Sequence, residues 1–276
     1  HVPQKNIGHI TPIQALKDWH KKQPELFKKK IYDLSGLDNY QPKCNGQGKI
    51  CSAEALVRMH DEEGSVVYPG EFIPVLEETG DIIAAGDHII RKIFEFVNKH
   101  NNDIKRSGLK SISINVSPTQ YSAEGFVDRV ITFAKQFDIE PRSIIFEITE
   151  DVVPSSIDNV VDVMHRLTQY GFRFSIDDFG TGYSSLRYLK NLPLGELKID
   201  KSFVDDVTAE GRAAAIVKTI IDMAHNFNLD VVAEGVESEE QLNILAKYQC
   251  ELYQGFFFSR PLMEEDFLAA LKSTAP

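Results

Sequence analysis

The chain has 276 residues, enough for one barrel-sized domain or two small ones. Hydrophobic residues make up 42% and charged residues 26%, a globular balance, and no apolar run is long enough to span a bilayer. A net charge of −11 argues against a nucleic-acid binder, and three cysteines are too few and too odd for a disulfide framework, so a reducing cytoplasm is the expected compartment. The chain opens at His1 with no signal-peptide pattern and reads as a piece of something longer.

Residues 1–39 differ from the rest. They hold seven Lys against four acids, +3, whereas residues 40–276 hold 23 Lys and Arg against 37 acids, −14. Thr11-Pro12 is a helix start with Gln14 completing a capping box, Gln23-Pro24 breaks the helix, and Lys28, Lys29 and Lys30 form a short basic run. With few basic residues and an acidic body beside it, this helical arm is not expected to bind DNA. It is expected to pack Leu16 and Trp19 against the body of the protein. The stretch TPIQALKDWHKKQPELFKKKIYDLSGLDN resembles the C-terminal tail of insertion-sequence transposases, which implies a fusion origin for the arm.

From residue 40 strands and helices alternate. Residues 40–44 and 49–57 read as strands joined by a hairpin-length turn, too tight for a helical crossover, so the pair should be antiparallel. Residues 72–76 lead into a helix with Ile90, Ile93, Phe94 and Val97 at helical spacing. Strands follow at 111–116, 144–149, 173–177, 197–199, 230–233 and 252–256. Between them lie helical patterns such as Val160, Met164 and Leu167, a short helix over 183–191, and a last helix over 264–272. About eight strands alternating with helices predict an α/β closed (β/α)8 barrel of the TIM type, modified by an antiparallel first strand. An open doubly wound sheet is the alternative, but no Gly-rich dinucleotide fingerprint follows the first strand.

In such a barrel the chemistry belongs at the C-terminal strand ends. There the sequence places Glu54, Asn115, Glu147, Asp177, Asp178, Lys198, Glu234 and Gln254. Alternation puts Asp200 on the same strand face as Lys198. Five carboxylates on one rim require cations, and all-oxygen donors without His or Cys suit Mg²⁺ or Mn²⁺ rather than zinc. An Asp bridging two such ions suits in-line phosphoryl displacement.

Seven ordered motifs carry a resemblance: EALVR at 54–58, PGEFIPVLEETG at 69–80, INVSPTQ at 114–120, FEITE at 146–150, DDFGTGYSSLRYLKNLPLGELKIDKSFV at 177–204, VVAEGVES at 231–238 and YQGFFFSRPL at 253–262. From residue 40 onward the chain resembles EAL-domain cyclic di-GMP phosphodiesterases. The resemblance implies hydrolysis of cyclic di-GMP to linear pGpG with two Mg²⁺ or Mn²⁺ ions. It implies Glu54, Asn115, Glu147 and Asp177 as ligands of one ion, and Asp177, Asp178 and Glu234 as ligands of the other. It implies that Lys198 positions or deprotonates the attacking water and that Gln254 lies near it. Glu150 is implied to anchor the loop after the fifth barrel strand, Glu237 and Asp200 to be outer acids, and Gln41, Leu56 and Arg58 to contact substrate. A homodimer through that loop is implied as well. Met59 stands where the family usually has Trp. The alternative is an EAL-like receptor that binds the nucleotide without turnover.

Overall fold

The computed structural model describes residues 39–60, 65–150, 157–181, 189–208 and 211–273. All but the last residue of the arm expected over 1–39, and most of the helix expected over 183–191, lie outside them.

Two strands open the described chain, β1 (Asn39–Cys44) and β2 (Ile50–Leu56), followed by a small hairpin of β3 (Met59–His60) and β4 (Val66–Val67). Then come α1 (Pro69–Thr79), α2 (Ile82–Lys99), α3 (Asn101–Ser107), β5 (Ser111–Asn115), α4 (Pro118–Tyr121), α5 (Phe126–Gln136) and β6 (Ile144–Thr149). The second half holds α6 (Ile157–Tyr170), β7 (Arg173–Phe179), β8 (Glu196–Ile199), α7 (Lys201–Asp205), α8 (Arg212–Asn226), β9 (Asp230–Glu234), α9 (Glu239–Lys247), β10 (Leu252–Gln254), β11 (Leu262–Met263) and α10 (Glu264–Ser273).

The barrel order is β1, β2, β5, β6, β7, β8, β9, β10, and β10 pairs back with β1 to close it. β1 is antiparallel to both neighbours; the other barrel pairs are parallel. The short turn at 45–48 forces this: Gly48 takes φ 77, and Asn45 accepts the amides of Gln47 and Lys49 on its side chain. Cys44 and Cys51 lie on this hairpin as free thiols, and burial, with Cys51 nearby, lifts Cys44 to about 12.

Strands covered on both faces read as apolar runs, and β6 shows why: Ile144, Ile145, Phe146 and Ile148 are all buried. Tyr40, on β1, stacks on Phe96 at 4.6 Å and Phe267 at 4.7 Å, tying β1 to α2 and α10. Three details differ from the sequence pattern. The helix expected from residue 72 is two helices, because Gly80 at φ 79 ends α1. β7 continues to Phe179 through a bulge. β10 stops at Gln254, and the next residue, Gly255, packs so close to the Val236 backbone that a Cβ would overlap it. Among the described residues no helix is long and apolar enough to cross a membrane.

Candidate active site

Period-two alternation turns Glu54, Glu147, Asp177, Lys198, Glu234 and Gln254 to the inside of the barrel, toward its C-terminal mouth. Lys198, 1% exposed, sits at the centre. Its Nζ lies 2.8 Å from Glu234, 2.9 Å from Glu147 and Asp177, and 3.2 Å from Glu54. Glu54 also accepts from Asn115 Nδ2 at 2.6 Å and from Gln254 Nε2 at 2.8 Å.

A regular strand would send Asp178 outward, opposite Asp177. The β7–β8 register shifts between Ile176 and Phe179, and Asp178 takes φ 53. That bulge costs about 1–2 kcal/mol for a residue with a side chain. It re-aims the carboxylate: oxygens of Asp177, Asp178 and Glu234 converge within 4.8 Å, as do those of Glu54, Glu147 and Asp177. Asp177 belongs to both groups.

The charges do not balance. Fully ionised, the five carboxylates around one ammonium carry an excess of four negative charges, which two divalent cations would neutralise. Burial pushes Asp177, Asp178 and Glu54 upward, and Glu234 up to about 8, against the pull of Lys198. Burial would also raise Glu147, but Lys198 and Lys43, both hydrogen-bonded to it, hold it down at about 2. Burial alone would lower Lys198; its four carboxylate neighbours keep it well above the ordinary lysine value. The donors are all oxygen, which fits hard divalent ions.

The other expected site residues fall at varying distances from this cluster. Glu150 accepts the Gly180 amide at 2.8 Å, fixing the start of the loop after β7; residues 182–188 of that loop lie outside the described residues. Arg58 donates to its own neighbour's carbonyl, Val57, and lies over the Tyr68 ring at 5.4 Å. Leu56 ends β2, half-buried. Gln41 is buried and spends its amide on the Ser259 carbonyl at 2.7 Å. Two positions depart from the pattern. β8 ends at Ile199, so Asp200 is not a strand residue beside Lys198: it caps α7 by accepting from the Ser202 amide, while still raising Asp178 through its charge. Glu237 pairs with Lys201 at 2.8 Å on the surface rather than with a member of the acid cluster.

Sequence reasoning missed Lys43 and Glu196, both buried inside the barrel. The available signal was a lysine on β1 in phase with Gln41, hence on the inward face.

The family model for the EAL domain matches residues 38–261. The chain belongs to the EAL domain family. It is 39% identical over 230 residues to the signaling protein YkoW of Bacillus subtilis, covering 83% of this chain and 28% of that protein. It is 36% identical over 238 residues to the bifunctional diguanylate cyclase/cyclic di-GMP phosphodiesterase MucR of Pseudomonas aeruginosa, covering 84% of this chain and 34% of that one. The chain thus spans about a third of the length of these relatives. The solved PaMucR phosphodiesterase in its c-di-GMP complex aligns with a TM-score of 0.80 and 34% identity, over 90% of this chain and 98% of that chain. As an EAL barrel, the chain carries the family's fold together with a cluster of acids suited to a divalent metal.

Proposed function

We propose that this EAL barrel hydrolyses cyclic di-GMP to linear pGpG at the carboxylate rim. The observation that carries the reading is the pair of converging acid groups sharing Asp177 around Lys198. Relatives named as cyclic di-GMP phosphodiesterases, and the nucleotide in the PaMucR complex, support the choice of substrate.

Glu54, Asn115, Glu147 and Asp177 would hold one Mg²⁺ or Mn²⁺, and Asp177, Asp178 and Glu234 the second. When bound, such ions polarise a phosphodiester and make water a better nucleophile. The chain's own residues supply the rest. Lys198 keeps its proton at Nζ, where its N–H groups face four carboxylates; cations taking those oxygens would free a donor to orient water and phosphate oxygen. Gln254 is fixed by its bond to Glu54, and its buried Oε1, without a partner among the described residues, is an acceptor for a water proton. Three free thiols suit a reducing compartment, and the cytoplasm is the proposed location.

Incubation with cyclic di-GMP and Mn²⁺, followed by chromatography, should yield pGpG; tight binding with no product would assign a receptor instead. Arg58, held over Tyr68, offers a forked contact to a substrate phosphate. Arg58→Ala should raise KM by roughly tenfold or more, the worth of a charged hydrogen bond, and leave Mn²⁺ affinity alone. An unmoved KM would remove Arg58 from the substrate site.

Glu150 holds Gly180, two residues past the acid pair, and the loop it anchors is the proposed homodimer contact. Glu150→Ala should lower both turnover and Mn²⁺ affinity, about 10–100-fold for an outer support, and weaken dimerisation in sedimentation. A monomeric wild-type protein with full activity would contradict the dimer.

A further inference from the structure

Beneath the ring of acids lies a second polar layer. Lys43 Nζ, fully buried, donates to Ser113 Oγ at 2.9 Å, Glu147 Oε1 at 2.8 Å and Glu196 Oε1 at 2.9 Å. An ammonium has three N–H donors, so all are spent, on β5, β6 and β8. Glu147 is therefore gripped from both sides: Oε1 by Lys43 from below and Oε2 by Lys198 from the mouth. A carboxylate held by one oxygen cannot turn both oxygens toward the mouth. Glu196, on β8, balances the Lys43 charge and sits in neither of the converging acid groups.

We infer that Lys43, braced by Glu196 and Ser113, is a positioning residue that commits Glu147 Oε1 to the barrel floor and presents Oε2 alone to a divalent cation. The inference rests on the proposed metal centre. It predicts a role that a simple space-filling ion pair lacks. Removing Lys43 frees Glu147 to rotate, and metal affinity should suffer even where the fold survives. Losing a hydrogen-bonded support of a metal ligand costs about 10–100-fold in affinity.

Lys43→Met alone would strand Glu196 as an unpaired buried charge and could unfold the barrel. The informative comparison is Glu196→Gln against Lys43→Met/Glu196→Gln, which removes both charges together. Mn²⁺ binding is measured by titration calorimetry on metal-stripped protein without nucleotide, and folding by circular dichroism. Glu196→Gln, whose side chain still accepts from Lys43, should bind Mn²⁺ within about threefold of wild type. The folded double variant should bind at least about tenfold more weakly. Its KM for cyclic di-GMP at saturating Mn²⁺ should stay near that of Glu196→Gln. Equal Mn²⁺ affinity in the two variants, or a double variant that does not fold, would make Lys43 a strut and overturn the inference. A wild-type protein that binds no Mn²⁺ would bring down the metal centre itself, a different and distinguishable failure.

Discussion

Asp177→Asn is expected to abolish hydrolysis while the barrel stays folded. Asp177 is common to both converging acid groups, so the change removes a charged donor from each proposed cation position at once. The activity loss should exceed the roughly 100-fold upper end for an outer-shell residue. The fold should not suffer. Burial already raises the Asp177 carboxyl, so its ionised form costs stability in metal-free protein at neutral pH, and an uncharged amide removes that cost. The melting temperature in chelator should hold or rise, and the rise that Mn²⁺ gives the wild type should shrink sharply. Near-normal turnover in this variant would sink the shared-ligand assignment.

Lys198→Met should behave in the opposite way. Lys198 contacts four buried or partly buried carboxylates, and removing it leaves them uncompensated. Breaking a buried ion cluster by deleting one side costs about 3–5 kcal/mol. For a chain of this size that is roughly 6–20 °C of melting temperature in chelator. Saturating Mn²⁺ should restore most of the loss, since divalent cations neutralise the same oxygens, while turnover stays low. If Mn²⁺ shifted the melting of wild type and variant equally, Lys198 and the cations would not be serving one set of carboxylates.

Much of this was legible in the sequence because it depends on local pattern. The apolar runs bracketing Glu147 and Asp177 mark buried strands, and the tight turn after Cys44 dictates an antiparallel β1. The placement of single acids at strand ends then comes from alternation alone. What alternation could not give was the bulge at Asp178, because it arises from the register of β7 on β8 rather than from β7 itself. The strand placement of Asp200 differed for a related reason: one residue beyond β8, it accepts from the first turn of the next helix. The Lys43 network was hidden by distance along the chain. Its three partners lie 70, 104 and 153 residues away, and only barrel closure brings them together.

The most direct test of the central claim uses a heavy-oxygen label. Metal-stripped protein is incubated with cyclic di-GMP in heavy-oxygen water, before and after Mn²⁺ is added, and the nucleotides are analysed by mass spectrometry. The carboxylate centre predicts intact cyclic dinucleotide until Mn²⁺ arrives. It then predicts linear pGpG carrying one labelled oxygen on its terminal phosphate, with the proton delivered to the departing 3′-oxygen. Cyclic di-GMP recovered intact from protein saturated with both Mn²⁺ and nucleotide, or product formed equally in chelator, would contradict it.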